Sequence, residues 1–291
     1  EVLVASTGVI GTPLPIGNIQ VSIGRITLKQ GGGHELARAM MTTDTRPKEI
    51  AIQFNMQGHE LTIGGVAKGA GMIHPNMATM LSFIVTDAKV NADFLQAALR
   101  QAADVSFNMI SVDGDTSTSD CVFLLASGSA GNATIGLDNG KLFQEALTNV
   151  CLHLAKSIVQ DAEGATKLLE VTVEGARNLV EARQAARTIA SSTSVKTAIH
   201  GNDPNWGRII AALGNSQADI MADSIDIRLD NTCVLKGGTP VHFDREKIKS
   251  TWLLTGSASI KVSLNMGHAT ATAWGCDLSE EYVTINSEYT T

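Results

Sequence analysis

Aromatic side chains are scarce in this sequence: Phe, Trp and Tyr together make up 4% of 291 residues. A surface that stacks the bases of single-stranded nucleic acid needs more of them. The shortage, beside abundant Ala, Gly, Thr and Val, favours thin and closely packed layers of sheet and helix. A basic excess is missing too. The net charge of −7 excludes a broad phosphate-binding face and leaves room only for a local basic pocket. No apolar run approaches the roughly 20 residues of a membrane-crossing helix, and no signal-peptide pattern opens the chain. The four cysteines, Cys121, Cys151, Cys233 and Cys276, lie far apart with no CxxC pair. They read as buried small apolar residues in a reducing compartment. The expected address is cytoplasmic, or an organelle if a transit segment is missing. The first residue is Glu rather than Met, and the chain is expected to start inside a longer protein.

What is present is ample core material. The chain is 44% hydrophobic and 18% charged, which suits a folded protein with a sizeable interior. At about 150 residues per domain, the length fits one large domain or two coupled ones. No internal repeat, low-complexity stretch or linker divides it.

Strands and helices alternate irregularly along the chain. EVLVASTGVIG (1–11) reads as a buried strand ending in a glycine turn, and QVSIGRITL (20–28) alternates less cleanly. HELARAMM (34–41) has helical spacing. EIAIQF (49–54) and HELTIGGVA (59–67), separated by NMQG, read as a hairpin. TMLSFIVTD (79–87) is an apolar, β-branched strand beginning at Thr79. Asn91 caps a helix over NADFLQAALRQAADVSF. A buried strand over 120–129, a long helix over 141–162, a strand over 168–175 and a helix over 176–192 follow. HGNDPN (200–205) is rich in turn formers and feeds a short helix, 206–214. The remainder reads as strands at 224–230, 232–238, 257–267 and 269–277. Without strict βαβ alternation, the expected fold is α/β (α+β), with mixed, largely antiparallel sheets layered with helices.

Most familiar catalytic signatures are absent: there is no GxSxG elbow, Walker A loop or dinucleotide fingerprint. His34-Glu35 and His59-Glu60 begin like HExxH but lack the second His. Asp113, Asp115 and Asp120, in VDGDTSTSD (112–120), have cation-binding composition, which Asx-turns and caps produce equally well. The seven histidines show no ligand spacing, so no metal is expected. His200, before a glycine, reads as a turn or left-handed residue rather than a ligand.

PNMATML (75–81) is the unusual stretch. Thr79 follows a small residue and opens a strand, just after the Gly-rich run GGVAKGAGM (64–72). A Thr hydroxyl is a weak nucleophile unless a base adjoins it, and one solution makes the Thr an N-terminus. The freed α-amine has an ordinary pKa of roughly 7.7–8.0 and accepts the hydroxyl proton near neutral pH. Freeing it requires attack by the Thr oxygen on the preceding carbonyl, N-to-O acyl shift and hydrolysis of the ester. A strand-opening Thr is also a common and inert feature, and the residues alone leave both readings open.

The sequence resembles the glutamate N-acetyltransferase (ornithine acetyltransferase) family of arginine biosynthesis. The resemblance rests on GGVAKGAGMIHPNMATML, VASTGVIG (4–11), MTTDTRPK (41–48), VDGDTSTSD, DAEGATK (161–167), HGNDPNWGR (200–208) and AWGCDLSEEYVTINSEYTT (273–291), in the family's order from end to end. It implies an N-terminal-nucleophile-like αββα sandwich with a smaller α/β subdomain, forming one catalytic unit over 1–291 that lacks an N-terminal segment. It implies cleavage between Ala78 and Thr79, so that 1–78 is the end of an α chain and 79–291 a β chain, assembled as an α2β2 heterotetramer. Thr79 would carry acetyl from N-acetylornithine to glutamate by ping-pong chemistry. No metal or organic cofactor is implied, although acetyl-CoA serves some members as a donor. Thr7 and Gly8 correspond to the oxyanion hole. Thr42, Lys68, Thr79, Glu163, Asn286 and Thr291 correspond to substrate contacts. Without the resemblance, Lys68 and Glu163 read as ordinary surface charges. Two alternatives stand beside the transferase: a self-cleaving aminopeptidase or amidase, and a binding protein without catalysis. Small-molecule substrates are expected as partners, with neither nucleic acid nor membrane.

Overall fold

Two mixed sheets, joined through helices, form the computed structural model, which describes residues 2–28, 30–74 and 80–288. Chain order begins with α1 (Ile16–Ile23), α2 (Gly33–Ala39), β1 (Lys48–Met56), β2 (His59–Lys68), β3 (Leu81–Thr86), α3 (Ala92–Asp104), β4 (Ile110–Ser111), β5 (Cys121–Ala126) and α4 (Lys141–Gln160). It continues with β6 (Leu168–Ala176), α5 (Leu179–Ser191), α6 (Thr193–His200), α7 (Trp206–Gly214), β7 (Asp226–Leu229), β8 (Thr232–Lys236) and β9 (Thr239–Pro240). The last elements are α8 (Arg245–Thr255), β10 (Ser257–Ser263), β11 (Ala269–Cys276) and α9 (Glu280–Glu288).

The smaller sheet has the order β1-β2-β3-β5, and the larger β4-β11-β6-β10-β7-β8-β9. β1 and β2 form the expected hairpin. Gln57 and Gly58 both take positive φ, 53° and 81°, the backbone a two-residue turn needs to match strand twist. β3 runs antiparallel to β2 and parallel to β5, with Leu81 opposite Cys121. Most described pairings in the larger sheet are antiparallel, the exceptions being β10 with β6 and β11 with β4. The mixed, largely antiparallel α/β class expected from the sequence is the one observed.

Helix α4 ties the sheets together, lying against β1 and β2 and also against β11 and β4. Its apolar positions Phe143, Leu147, Val150, Cys151, Leu154 and Ile158 are all buried, as helical spacing requires. Gly65 on β2 permits the approach, because a Cβ there would stand 3.0 Å from the Leu154 side chain. Helix α5 covers β11 and β6 through Ala182, Ala185, Ala186, Ile189 and Ala190. Small residues on that face let helix and sheet sit close.

Several expectations are corrected. The segment read as a strand at 1–11 is irregular over the described residues, and Val2 and Val4 are 88% and 80% exposed. No described strand runs beside it to accept its backbone bonds. Residues 20–28 contribute to α1 instead, which starts after Pro15 and stops at Gly24. Helices α6, α8 and α9 lie in stretches over which almost no element was expected, only the turn at 200 touching α6. α8 carries plain signals: the Asp244 side chain accepts from Lys247 N at 3.1 Å, and Gly256 ends the helix in the left-handed region. The strand at 120–129 is an edge, half-buried rather than buried. Cys121 and Cys233 are likewise only half-buried, while Cys151 and Cys276 are buried; all are free thiols. Among the described residues no helix is long and apolar enough to cross a membrane.

Candidate active site

The block DAEGATK holds the centre of the site together. Asp161 accepts from Thr45 N and Thr45 Oγ1 and from the Lys48 ammonium at 2.5 Å. Lys48, buried like both its partners, also reaches Asp44. Asp44 in turn accepts from Gly69 N at 2.8 Å and Thr42 N at 3.1 Å. Burial alone would raise the Asp44 pKa, but Lys48 and these N–H donors outweigh it and hold the carboxyl below its ordinary range. The result is a fixed ionised scaffold joining the loop before β1 to the end of β2.

Lys68, the last residue of β2, rests on that scaffold. Its Nζ donates to Thr42 Oγ1 at 3.2 Å. It is only 7% exposed, as is Glu163, which corrects the reading of both as surface charges. Burial lowers the Lys68 pKa, opposed by Asp44, Asp120 and Glu163 and reinforced by Lys48.

Glu163 lies just past α4, its N–H donating to Ala70 O at 3.0 Å. Its carboxylate accepts from Asn286 Nδ2 at 2.7 Å. Asn286 and Tyr282 are one helical turn apart on α9 and share a face. Gly164, at φ 67°, lets α9 approach; any Cβ there would strike the Tyr282 backbone at 2.5 Å. Thr166 N and Lys167 N donate to Asp277 at 2.7 and 2.8 Å, anchoring the chain just before α9. His200 belongs to this anchor. It ends α6 and pairs with Asp277 at 2.8 Å, while the left-handed residue nearby is Asn202.

A cavity of about 360 Å³ is lined by Thr7, Gly8, Thr42, Lys68, Glu163 and Asn286. These come from five separated segments of chain. Asp113, Asp115 and Tyr282 also line it. Asp113 accepts from Met72 N at 2.6 Å, Ile73 N at 3.0 Å and Asp115 N at 3.1 Å, which is the turn-and-cap use of that acidic run. Among the described residues no group of three or more His, Cys, Asp or Glu side chains could hold a metal ion. Ala78, Thr79 and Thr291 lie outside the described residues. Met80, the next residue after Thr79 in sequence, lines a small recess with Thr7, Lys68 and Asp120.

Asp120, read from the sequence only as part of an acidic run of cation-binding or turn composition, is a buried carboxyl. Both its oxygens are buried without a hydrogen-bond partner of good geometry. Burial pushes its pKa up to about 7, against the pull of the Met80 N–H and Lys68. The Asp44–Lys48–Asp161 cluster was also missed. Its only sequence signal was a Lys four residues after an Asp, ordinarily a surface pair.

On this mixed α/β fold, Lys68 and Glu163 bring a buried cation and a buried carboxylate to one small cavity, the make-up of a candidate small-molecule site. The chain belongs to the ArgJ family, whose match covers residues 1–291. It is 57% identical to the arginine biosynthesis bifunctional protein ArgJ of Dehalococcoides mccartyi, over 100% of this chain and 72% of that protein. It is 50% identical to the protein of the same name from Symbiobacterium thermophilum, over 99% of this chain and 72% of that one. A crystal structure of arginine biosynthesis bifunctional protein ArgJ from Bacillus halodurans matches with TM-score 0.71 and 45% identity, over 72% of this chain and 100% of that chain.

Proposed function

We propose that this protein is an acetyltransferase of arginine biosynthesis, moving acetyl from N-acetylornithine to glutamate through an ester on Thr79. One observation carries the reading: Thr7, Gly8, Thr42, Lys68, Glu163 and Asn286 line a single cavity, with a cation and a carboxylate both buried in it.

In the donor half-reaction the Thr79 oxygen attacks the acetyl carbonyl, and its proton passes to the α-amine of the same residue. Thr7 Oγ1–H and Gly8 N–H donate to the developing oxyanion, a role in which one donor contributes about 3 kcal/mol. The C–N bond breaks, and the ornithine amine leaves with the proton. Lys68 meets the ornithine carboxylate, and Glu163, held by Asn286, meets its side-chain ammonium. In the second half the glutamate amine attacks the ester, and Thr79 recovers its hydroxyl. The acetyl bond is passed on rather than lost to water.

The α-amine requires that the chain be cut between Ala78 and Thr79, leaving 1–78 and 79–291 as α and β chains of an α2β2 assembly. Thr291 is proposed as a further substrate contact. The relatives' name, bifunctional, supports acetyl-CoA as a second donor, with no resident cofactor.

The test is the fate of labelled acetyl. N-acetylornithine with glutamate is expected to yield labelled acetylglutamate. Free acetate formed whether or not glutamate is present would instead establish a hydrolase.

A further inference from the structure

A second cavity, of about 580 Å³, opens between α5, the loop after α7, and His74 with Thr116. Its lining includes His74, Thr116, Arg183, Gln184, Arg187 and Gln217. Positions 183, 184 and 187 are helical neighbours on α5, so both guanidinium groups project from one face. No carboxylate is among the described lining residues. Arg183 lies 3.8 Å from Asp104, an exposed pair of the kind that contributes little. Burial lowers the His74 pKa and the Arg187 charge lowers it further, opposed by Asp113 and Asp115 across the shared wall. Burial lowers the Arg187 pKa as well. In a chain of net charge −7, this is a local concentration of positive charge in a concave, hydroxyl- and amide-rich setting.

The cavity shares a wall with the active site. Thr116 Oγ1 donates to His74 O at 3.0 Å, and the His74 ring meets Ser111 Oγ at 3.0 Å. Between them, Asp113 binds the backbone of Met72 and Ile73 and faces the active cavity.

We infer that this cavity is a second ligand site that takes a phosphate-bearing anion, held by the forked guanidinium groups of Arg183 and Arg187. Guanidinium forks match phosphate oxygens in pairs, and the volume suits a nucleotide-sized ligand. The phosphate has two sources: free inorganic phosphate, or the bisphosphorylated nucleotide end of an acyl-CoA donor. The second source rests on the functional reading above.

Equilibrium dialysis of the purified protein with inorganic phosphate and with adenosine 3′,5′-bisphosphate tests the site. Two variants accompany it: Arg183→Gln, which removes a guanidinium, and Gln184→Glu, which puts a carboxylate on the exposed side of the lining. Circular dichroism verifies that both are folded. Saturable binding weakened about tenfold or more by each substitution is expected. Equal affinity for the two probes assigns the site to free phosphate. Tighter binding of the nucleotide, displaced by acetyl-CoA, assigns it to the acyl donor. No saturable binding of either probe, or binding unchanged by both substitutions, would overturn the proposal. Transfer from N-acetylornithine is assayed on the same sample. Its absence would count against the functional reading and leave the dialysis result standing.

Discussion

Gly71 lies against the carboxylate of Glu163 so closely that a Cβ on it would stand 2.5 Å from Glu163 Cδ. The glycine-rich run after β2 is therefore matched to the acidic side chain that α4 delivers. Gly71→Ala is expected to displace Glu163 from the cavity and raise KM for N-acetylornithine about tenfold, equivalent to about 1.4 kcal/mol. Steady-state kinetics with varied donor checks this, and an unchanged KM would show that Glu163 tolerates displacement.

Removing the charge itself goes further. Glu163→Gln keeps a group for Asn286 but loses the pairing with an ammonium. A charged hydrogen bond contributes about 1.5–3 kcal/mol, so KM for N-acetylornithine is expected to rise roughly ten- to hundredfold. Saturation kinetics identical to the parent would remove Glu163 from the substrate contacts.

Lys48 supports Asp44 and Asp161 from below the site. Lys48→Met leaves two buried carboxylates without their cation, a change that typically costs about 3–5 kcal/mol. Chemical denaturation at neutral pH is expected to show a loss of that size. A loss below 1 kcal/mol, on the order of a surface pair, would mean the cluster is not the scaffold described.

Asp120 sets a pH dependence of opposite sign to an ion-paired carboxylate. Its folded pKa, raised to about 7, means the folded chain holds this proton more tightly than the unfolded chain does. Its contribution is therefore present at acid pH and is lost as pH rises from about 4 towards 7. Asp120→Asn cannot ionise. Its stability relative to the parent is expected to grow across that window and level off above it. A difference independent of pH, measured by urea unfolding, would contradict the buried, unpaired carboxyl.

Much of this fold follows from periodicity. α4 is legible because its apolar residues repeat at helical spacing, and the β1–β2 hairpin because alternation meets a turn. α7 begins and ends where WGRIIAALG does. Residues 2–8 misled for a physical reason: alternation creates a strand only where another strand accepts its backbone bonds. α8 and α9 were hidden by weak amphipathicity, although Asp244 and Gly256 marked both ends of α8. The site was legible through its blocks of sequence rather than through any single residue. Neither Lys68 nor Glu163 shows from spacing that it is buried. Their burial depends on Asp44, Lys48 and Asp161, which come together only when the loop before β1 meets the end of α4. The acidic run shows Asp120 but not its burial, since an unsatisfied carboxyl is a property of surroundings that the sequence does not list side by side.

The central claim is an acetyl ester on Thr79 at the head of a self-released chain. Intact-mass spectrometry of the purified protein, incubated with N-acetylornithine in the absence of glutamate, tests it most directly. The account predicts two fragments, with the one beginning at Thr79 heavier by one acetyl group and returning to its original mass when glutamate is added. A single uncut chain, or a Thr79 fragment whose mass does not change, would contradict it.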